Sequence, residues 1–122
     1  MPNKGKLRKG IDMDYRRELL KGNTDSILLF LLAENPRYGY QMVKEIENRS
    51  DGYFQFKEGT IYPALHRLEK DGMVTSWWQQ APNGQPRKYY AVTEKGSTLL
   101  RHKLTEWRNF SRAVSLLLLS ES

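Results

Sequence analysis

Apolar residues change their spacing at Asp71-Gly72, and that change limits the chain to a short list of architectures. Before it they recur at three- and four-residue steps, in the sets Leu19, Leu20, Ile27, Leu28, Leu31, Leu32, then Met42, Val43, Ile46, then Ile61, Leu65, Leu68, the period of helices with one buried face. After it come "MVTSWWQ" and "RKYYAVT", rich in β-branched and aromatic residues and separated by "QAPNGQP" with its Asn83-Gly84. That pattern predicts a hairpin with a loose loop. From Thr93 the helical period returns in Leu100, Leu104, Trp107, Phe110, Val114, Leu117 and Leu118, close to a heptad seam. The order is three short helices, a hairpin and a long helix. This is a mostly α chain with a β-hairpin, laid out as a winged helix-turn-helix followed by a long C-terminal helix.

Local signals set the boundaries. The first ten residues lack apolar periodicity and form a basic flexible arm. Helix begins near Met13; Gly22 and Asn23 break it, with Thr24 as a second N-cap, and "ENPR" ends it because Pro36 disfavours helical geometry at Asn35. A second helix spans Tyr38 to Arg49 and stops at "SDG". "YFQF" bridges to a third helix, which Asp71-Gly72 terminates.

Composition removes whole classes of function. A chain of 122 residues, 39% hydrophobic and 28% charged, suits one globular domain. Its longest aliphatic run, Leu116 to Leu119, is far below the ~20 apolar residues of a membrane span, and the basic N-terminus leads into no hydrophobic signal core. The expected location is the cytoplasm. Cysteine is absent, which excludes disulfides, thiol nucleophiles and cysteine zinc sites, and the Asn48 and Asn109 glycosylation patterns are chance matches in a protein that is not secreted. His66 and His102 lie on different helices with no carboxylates at ligand spacing, and no nucleophile-and-base or paired-carboxylate constellation occurs. No enzyme, metal site or cofactor is expected.

The net charge of +6 points to a polyanionic partner, but the charge is concentrated. Lys4, Lys6, Arg8 and Lys9 carry four of the twenty cations, leaving sixteen against fourteen acids, a net of +2, on the rest. A nucleic-acid surface on the folded part must therefore be local.

"EGTIYPALHRLEKDGMV" supplies one. A recognition helix presents its N-terminal side chains and free N–H groups to the major groove. With Thr60 as N-cap, Pro63 falls at the third helical position, where its missing N–H leaves no ladder bond unmade. Gly59 then permits close approach, and Thr60, Tyr62 and His66 lie opposite Ile61, Leu65 and Leu68. Lys57, Arg67 and Lys70 are candidate phosphate neighbours. On the hairpin, Trp77 and Trp78 alternate across the strand, one packed and the other exposed.

This stretch, followed by "RKYYAVTEKG" and preceded by "RYGYQMVKEI", resembles the PadR family of phenolic-acid-responsive transcriptional regulators. The resemblance runs from about Leu20 to Leu118. It implies a homodimeric repressor that binds double-stranded DNA at an inverted-repeat operator. It also implies DNA contact by Tyr38, Tyr40, Gly59, Thr60 and Tyr62, with Arg87 and Lys88 of the wing on the flanking backbone; Pro63 and His66, at the front of the same helix, are further candidate DNA contacts. Residues 11–93 would form the DNA-binding domain and 94–122 the dimerisation helix, as in the shorter branch of the family without an extra C-terminal domain. "LTEWRNF" is similar to the terminal helix of the multidrug-responsive members, which implies that Trp107 stacks on a planar aromatic effector. Two other readings remain: a winged-helix protein-interaction module that no longer reads DNA, and a ligand-binding dimer acting chiefly as a sensor.

Overall fold

The computed structural model describes residues 22–119. The basic arm and the helical start near Met13, with Leu19 and Leu20, lie outside them. Four helices and three strands follow in order: α1 (Thr24–Glu34), β1 (Arg37–Tyr38), α2 (Gly39–Arg49), α3 (Glu58–Lys70), β2 (Val74–Gln80), β3 (Pro86–Val92) and α4 (Glu94–Leu118). The architecture is the winged helix-turn-helix with a long C-terminal helix that the hydrophobic pattern predicts.

α1 is apolar nearly all round, as a central helix must be. Leu28, Leu29, Leu31 and Leu32 are buried, and the helix packs against α3, α4 and β3. Met42 and Ile46 of α2, Ile61, Leu65 and Leu68 of α3, Val74, Tyr90 and Leu100 close the core around it. Phe54 and Phe56, from the aromatic bridge, pack on its edge.

α3 ends in a Schellman motif. The Met73 N–H donates to the Leu68 carbonyl and the Gly72 N–H to that of Glu69, which needs the left-handed conformation that Gly72 adopts at φ 79°. The chain thereby turns straight into the hairpin, where β2 and β3 pair antiparallel from Val74↔Val92 to Gln80↔Pro86. At the tip Gly84 N–H donates to Ala81 and Ala81 N–H to Gln85, so the expected Asn83-Gly84 turn closes as a bulged loop with Gly84 left-handed at φ 85°.

β1 has no counterpart in the sequence reading. Its two residues pair with β3 as Arg37↔Tyr90 and Tyr38↔Tyr89, giving a sheet of order β1-β3-β2. Two residues are too few to show alternation.

α3 also starts earlier than predicted. Its N-cap is Lys57, not Thr60, and Glu58 opens the helix. Pro63 is therefore its sixth residue rather than its third, and contributes no N–H to the Gly59 carbonyl. Tyr62 gives a physical reason for the extra turn, because its hydroxyl donates to Glu58 Oε2 at 3.1 Å, bridging the first turn to the second. A carboxylate also favours a helix N-terminus.

Among the described residues no helix is long and apolar enough to cross a membrane, and no three His, Cys, Asp or Glu groups cluster as a metal site would need.

Candidate nucleic-acid interface

The predicted contact residues come from four segments, and the fold brings most of them to one end of the molecule. Gly39 and Tyr62 mark the junction. A Cβ built on Gly39 would lie 2.6 Å from the Tyr62 hydroxyl and 2.8 Å from its Cζ, so the tyrosine ring of α3 rests directly on the first turn of α2. Tyr62 is consequently half-buried against the core, a correction to its predicted place on a free face. Burial and, next, its hydrogen bond to Glu58 raise the pKa of its hydroxyl, which stays protonated as a donor.

Tyr38 precedes this contact and caps α2, its N–H donating to Gln41 Oε1 at 3.0 Å. Its ring meets Tyr89 edge-on with centroids 5.2 Å apart, and the Arg87 guanidinium lies 5.5 Å from the ring centre. The wing arginine and the start of α2 are thus one cluster. Arg87 also donates to Gln85 Oε1 at 3.0 Å, while its Nε is buried without a partner. Around this cluster Tyr40, Gly59, Thr60, Pro63 and His66 are exposed, with Lys44 over the Tyr40 ring at 5.5 Å. His66 sits beside Tyr62, ring centroids 6.3 Å apart.

Lys88 stands apart from this set. Strand alternation puts it on the opposite sheet face from Arg87, across from Trp78. Arg67 is engaged by Asp25 of α1, so of the three candidate phosphate neighbours Lys57 and Lys70 retain an exposed ammonium free of any carboxylate among the described residues. Gly39 itself was missed by sequence reasoning. Its only signal was its place between two tyrosines, and the slot it offers exists only once α3 packs across α2.

Behind the interface, an ionic network ties three elements together. Glu34 at the end of α1 accepts from Arg37 of β1 at 2.9 Å and from Arg49 of α2 at 2.6 Å, and Arg49 also bonds Glu45 at 2.7 Å. Chiefly through its bond to Arg49, the Glu34 carboxyl is held below the usual carboxylate range.

Trp107 lies on α4, outside the cluster of predicted DNA-contact residues. It borders a cleft of about 730 Å³ lined by Phe30, Ile46, Tyr53, Leu104 and Phe110. Trp107 is 48% and Phe110 63% exposed, and their rings stack at 6.3 Å. The seam on α4 divides accordingly. Leu100 is buried in the chain's own core, whereas Leu117 and Leu118 stand in solvent.

Comparison with known proteins bears on this arrangement. Residues 28–102 match the transcriptional regulator PadR-like family. A PadR family transcriptional regulator from Eggerthella lenta superposes with a TM-score of 0.76 at 31% identity, over 92% of this chain and 96% of that one. A PadR-like transcriptional regulator from Bacillus cereus gives 0.76 at 30% identity, over 85% and 99%. A transcriptional regulator of Mycobacterium tuberculosis is 29% identical over 98 residues, 80% of this chain and 88% of that protein. Motifs, fold and relatives agree: the chain belongs to the PadR-like family of DNA-binding transcriptional regulators.

Proposed function

We propose that the protein is a cytoplasmic repressor that binds an inverted-repeat operator as a homodimer, with residues 11–93 reading DNA and α4 joining the two copies. The observation that carries the DNA reading is the convergence of Tyr38, Tyr62 and Arg87 beside the exposed start of α3. Thr60, Pro63 and His66 enter the major groove, and the hairpin follows the flanking backbone. Two such helices related by a two-fold axis lie about one DNA turn, ~34 Å, apart.

What supports the dimer is the uncovered stripe on α4. Phe110 at 63% and Leu117 at 82% exposure are costly to leave in water, and a second copy of the same helix covers them. Trp107 then faces the two-fold axis, where a planar aromatic effector stacks on it. Such a ligand releases DNA only through its different affinity for the two arrangements of the wings.

The test is titration of the purified protein against the DNA upstream of its own gene, across salt concentrations and with unrelated competitor. Specific binding survives competitor and shows a log–log salt slope of about −0.9 per phosphate neutralised. Binding erased by competitor favours the interaction module instead. For the effector site, Trp107→Ala is expected to weaken a planar aromatic ligand by about ten-fold, the loss of one stacking contact; isothermal titration showing unchanged affinity removes Trp107 from the site.

A further inference from the structure

We propose that Trp78 is a DNA-contacting residue of the wing, its indole packing against the sugar edges of the minor groove beside the α3 site while Lys88 meets the adjacent phosphate. The inference rests on the DNA-binding reading above and assigns it a second kind of contact.

Strand alternation places Val74, Ser76 and Trp78 on one face of β2. That face looks toward α3, because the Ser76 hydroxyl donates to Glu69 Oε2 of that helix at 2.6 Å. On β3 the same face carries Tyr90, fully buried, and then Lys88. Two residues beyond Ser76, about 7 Å along the strand, the helical layer no longer covers the sheet and Trp78 is 69% exposed.

The neighbouring tryptophan shows that this exposure belongs to the position and not to the residue type. Trp77, on the opposite face, stacks on Tyr89 with centroids 6.4 Å apart, and its indole N–H donates to Gln79 at 2.8 Å. Trp78 has neither kind of partner among the described residues.

Charge identifies the occupant. No acidic residue occurs anywhere from Val74 to Val92. Lys88 is directly opposite Trp78 in the register, and its ammonium, 6.0 Å from the Tyr90 ring centre, meets no carboxylate among the described residues. An apolar plate beside an unpaired cation matches the minor-groove wall, where deoxyribose C–H edges alternate with phosphates.

The two residues then leave different signatures in a salt titration on the upstream duplex. Trp78→Ala is expected to lower affinity by about ten-fold with the salt slope unchanged, since no counterion is released at an apolar contact. Lys88→Ala is expected to flatten the slope by about 0.9, and Trp78→Phe to retain most of the affinity. Because Trp78 is largely in solvent, its variants should melt with the wild type. If wild-type protein binds the duplex and Trp78→Ala binds it equally well, this inference is overturned alone. If wild-type protein does not bind, the DNA reading fails and takes the inference with it. A loss of binding that tracks a change in sedimentation mass assigns Trp78 to a protein contact and overturns it too.

Discussion

Gly96→Ala is expected to lower the thermal midpoint by about 10 °C. Alanine is normally the better helix residue by about 1 kcal/mol, so the direction must come from packing. A Cβ at Gly96 would lie 2.1 Å from the Met73 carbonyl oxygen and 2.8 Å from Val92 Cγ2, and the first of these is backbone. That carbonyl cannot easily yield. It accepts from the Thr93 N–H at 3.0 Å and shares the single Thr93 hydroxyl proton, 3.0 Å away, with the Gly72 carbonyl at 2.7 Å, while the same hydroxyl oxygen caps α4 by accepting from Gly96 N–H at 3.1 Å. Overpacking against a fixed wall costs about 3 kcal/mol, which leaves a net loss of about 2 kcal/mol after the propensity gain, roughly 10 °C for a chain of this size. A circular-dichroism melt within about 2 °C of wild type would falsify the tight joint.

The same joint bears on function. α4 is a rod of 25 residues, roughly 37 Å at 1.5 Å per residue. Its start is bolted to the turn between α3 and β2 by Thr93, so a small tilt there moves the exposed Phe110 and Leu117 by several ångströms. If α4 carries the dimer contact, Gly96→Ala also weakens self-association. Conversely, if an effector binds beside Trp107 as proposed and tilts α4, Thr93 and Met73 carry that tilt to the wing. The Glu34, Arg37 and Arg49 network supplies a second connection, because Arg49 borders the cleft beside Trp107 while Arg37 pairs with Tyr90 of the wing.

Much of this was legible before any coordinates. The shift of period at Asp71-Gly72, the Asn83-Gly84 turn and the seam from Leu100 onward are local patterns, and each marks the element it predicts. Gly72 ends α3 and Thr93 caps α4 for reasons held within a few residues. The departures are where distant groups decide. Thr60 has the better side chain for an N-cap, but Glu58 gains a hydrogen bond from Tyr62 by joining the helix, so the helix begins at Glu58. β1 exists because β3 offers a free edge to Arg37 and Tyr38. Tyr62 lies about 60° from Leu65 on a wheel of ~100° per residue, at the border of the apolar stripe. Only the notch at Gly39 decides that it packs inward.

That notch makes Gly39→Ala the sharper test of the DNA interface. The new methyl would fall 2.6 Å from the Tyr62 hydroxyl and 2.8 Å from its ring. Here the obstacle is the far end of a side chain, which can rotate away. Displacing it forfeits the bond to Glu58, worth about 1.5 kcal/mol, and some ring burial, against a propensity gain of about 1 kcal/mol for alanine in α2. Stability should therefore change by less than about 2 kcal/mol, leaving the fold and its melt nearly intact. DNA affinity should fall by at least ten-fold, because Tyr62 leaves the cluster with Tyr38 and Arg87 at the end of α3 proposed to enter the groove. Tyr62→Ala is expected to lose affinity as well. The informative measurement is the double variant, for with the ring gone the methyl has nothing to strike. Gly39→Ala should then cost no further affinity, a coupling of 1 kcal/mol or more on the order expected for residues in contact. Additive losses in fluorescence-anisotropy titrations would show that Gly39 and Tyr62 act on DNA separately, and the shared slot would no longer explain either.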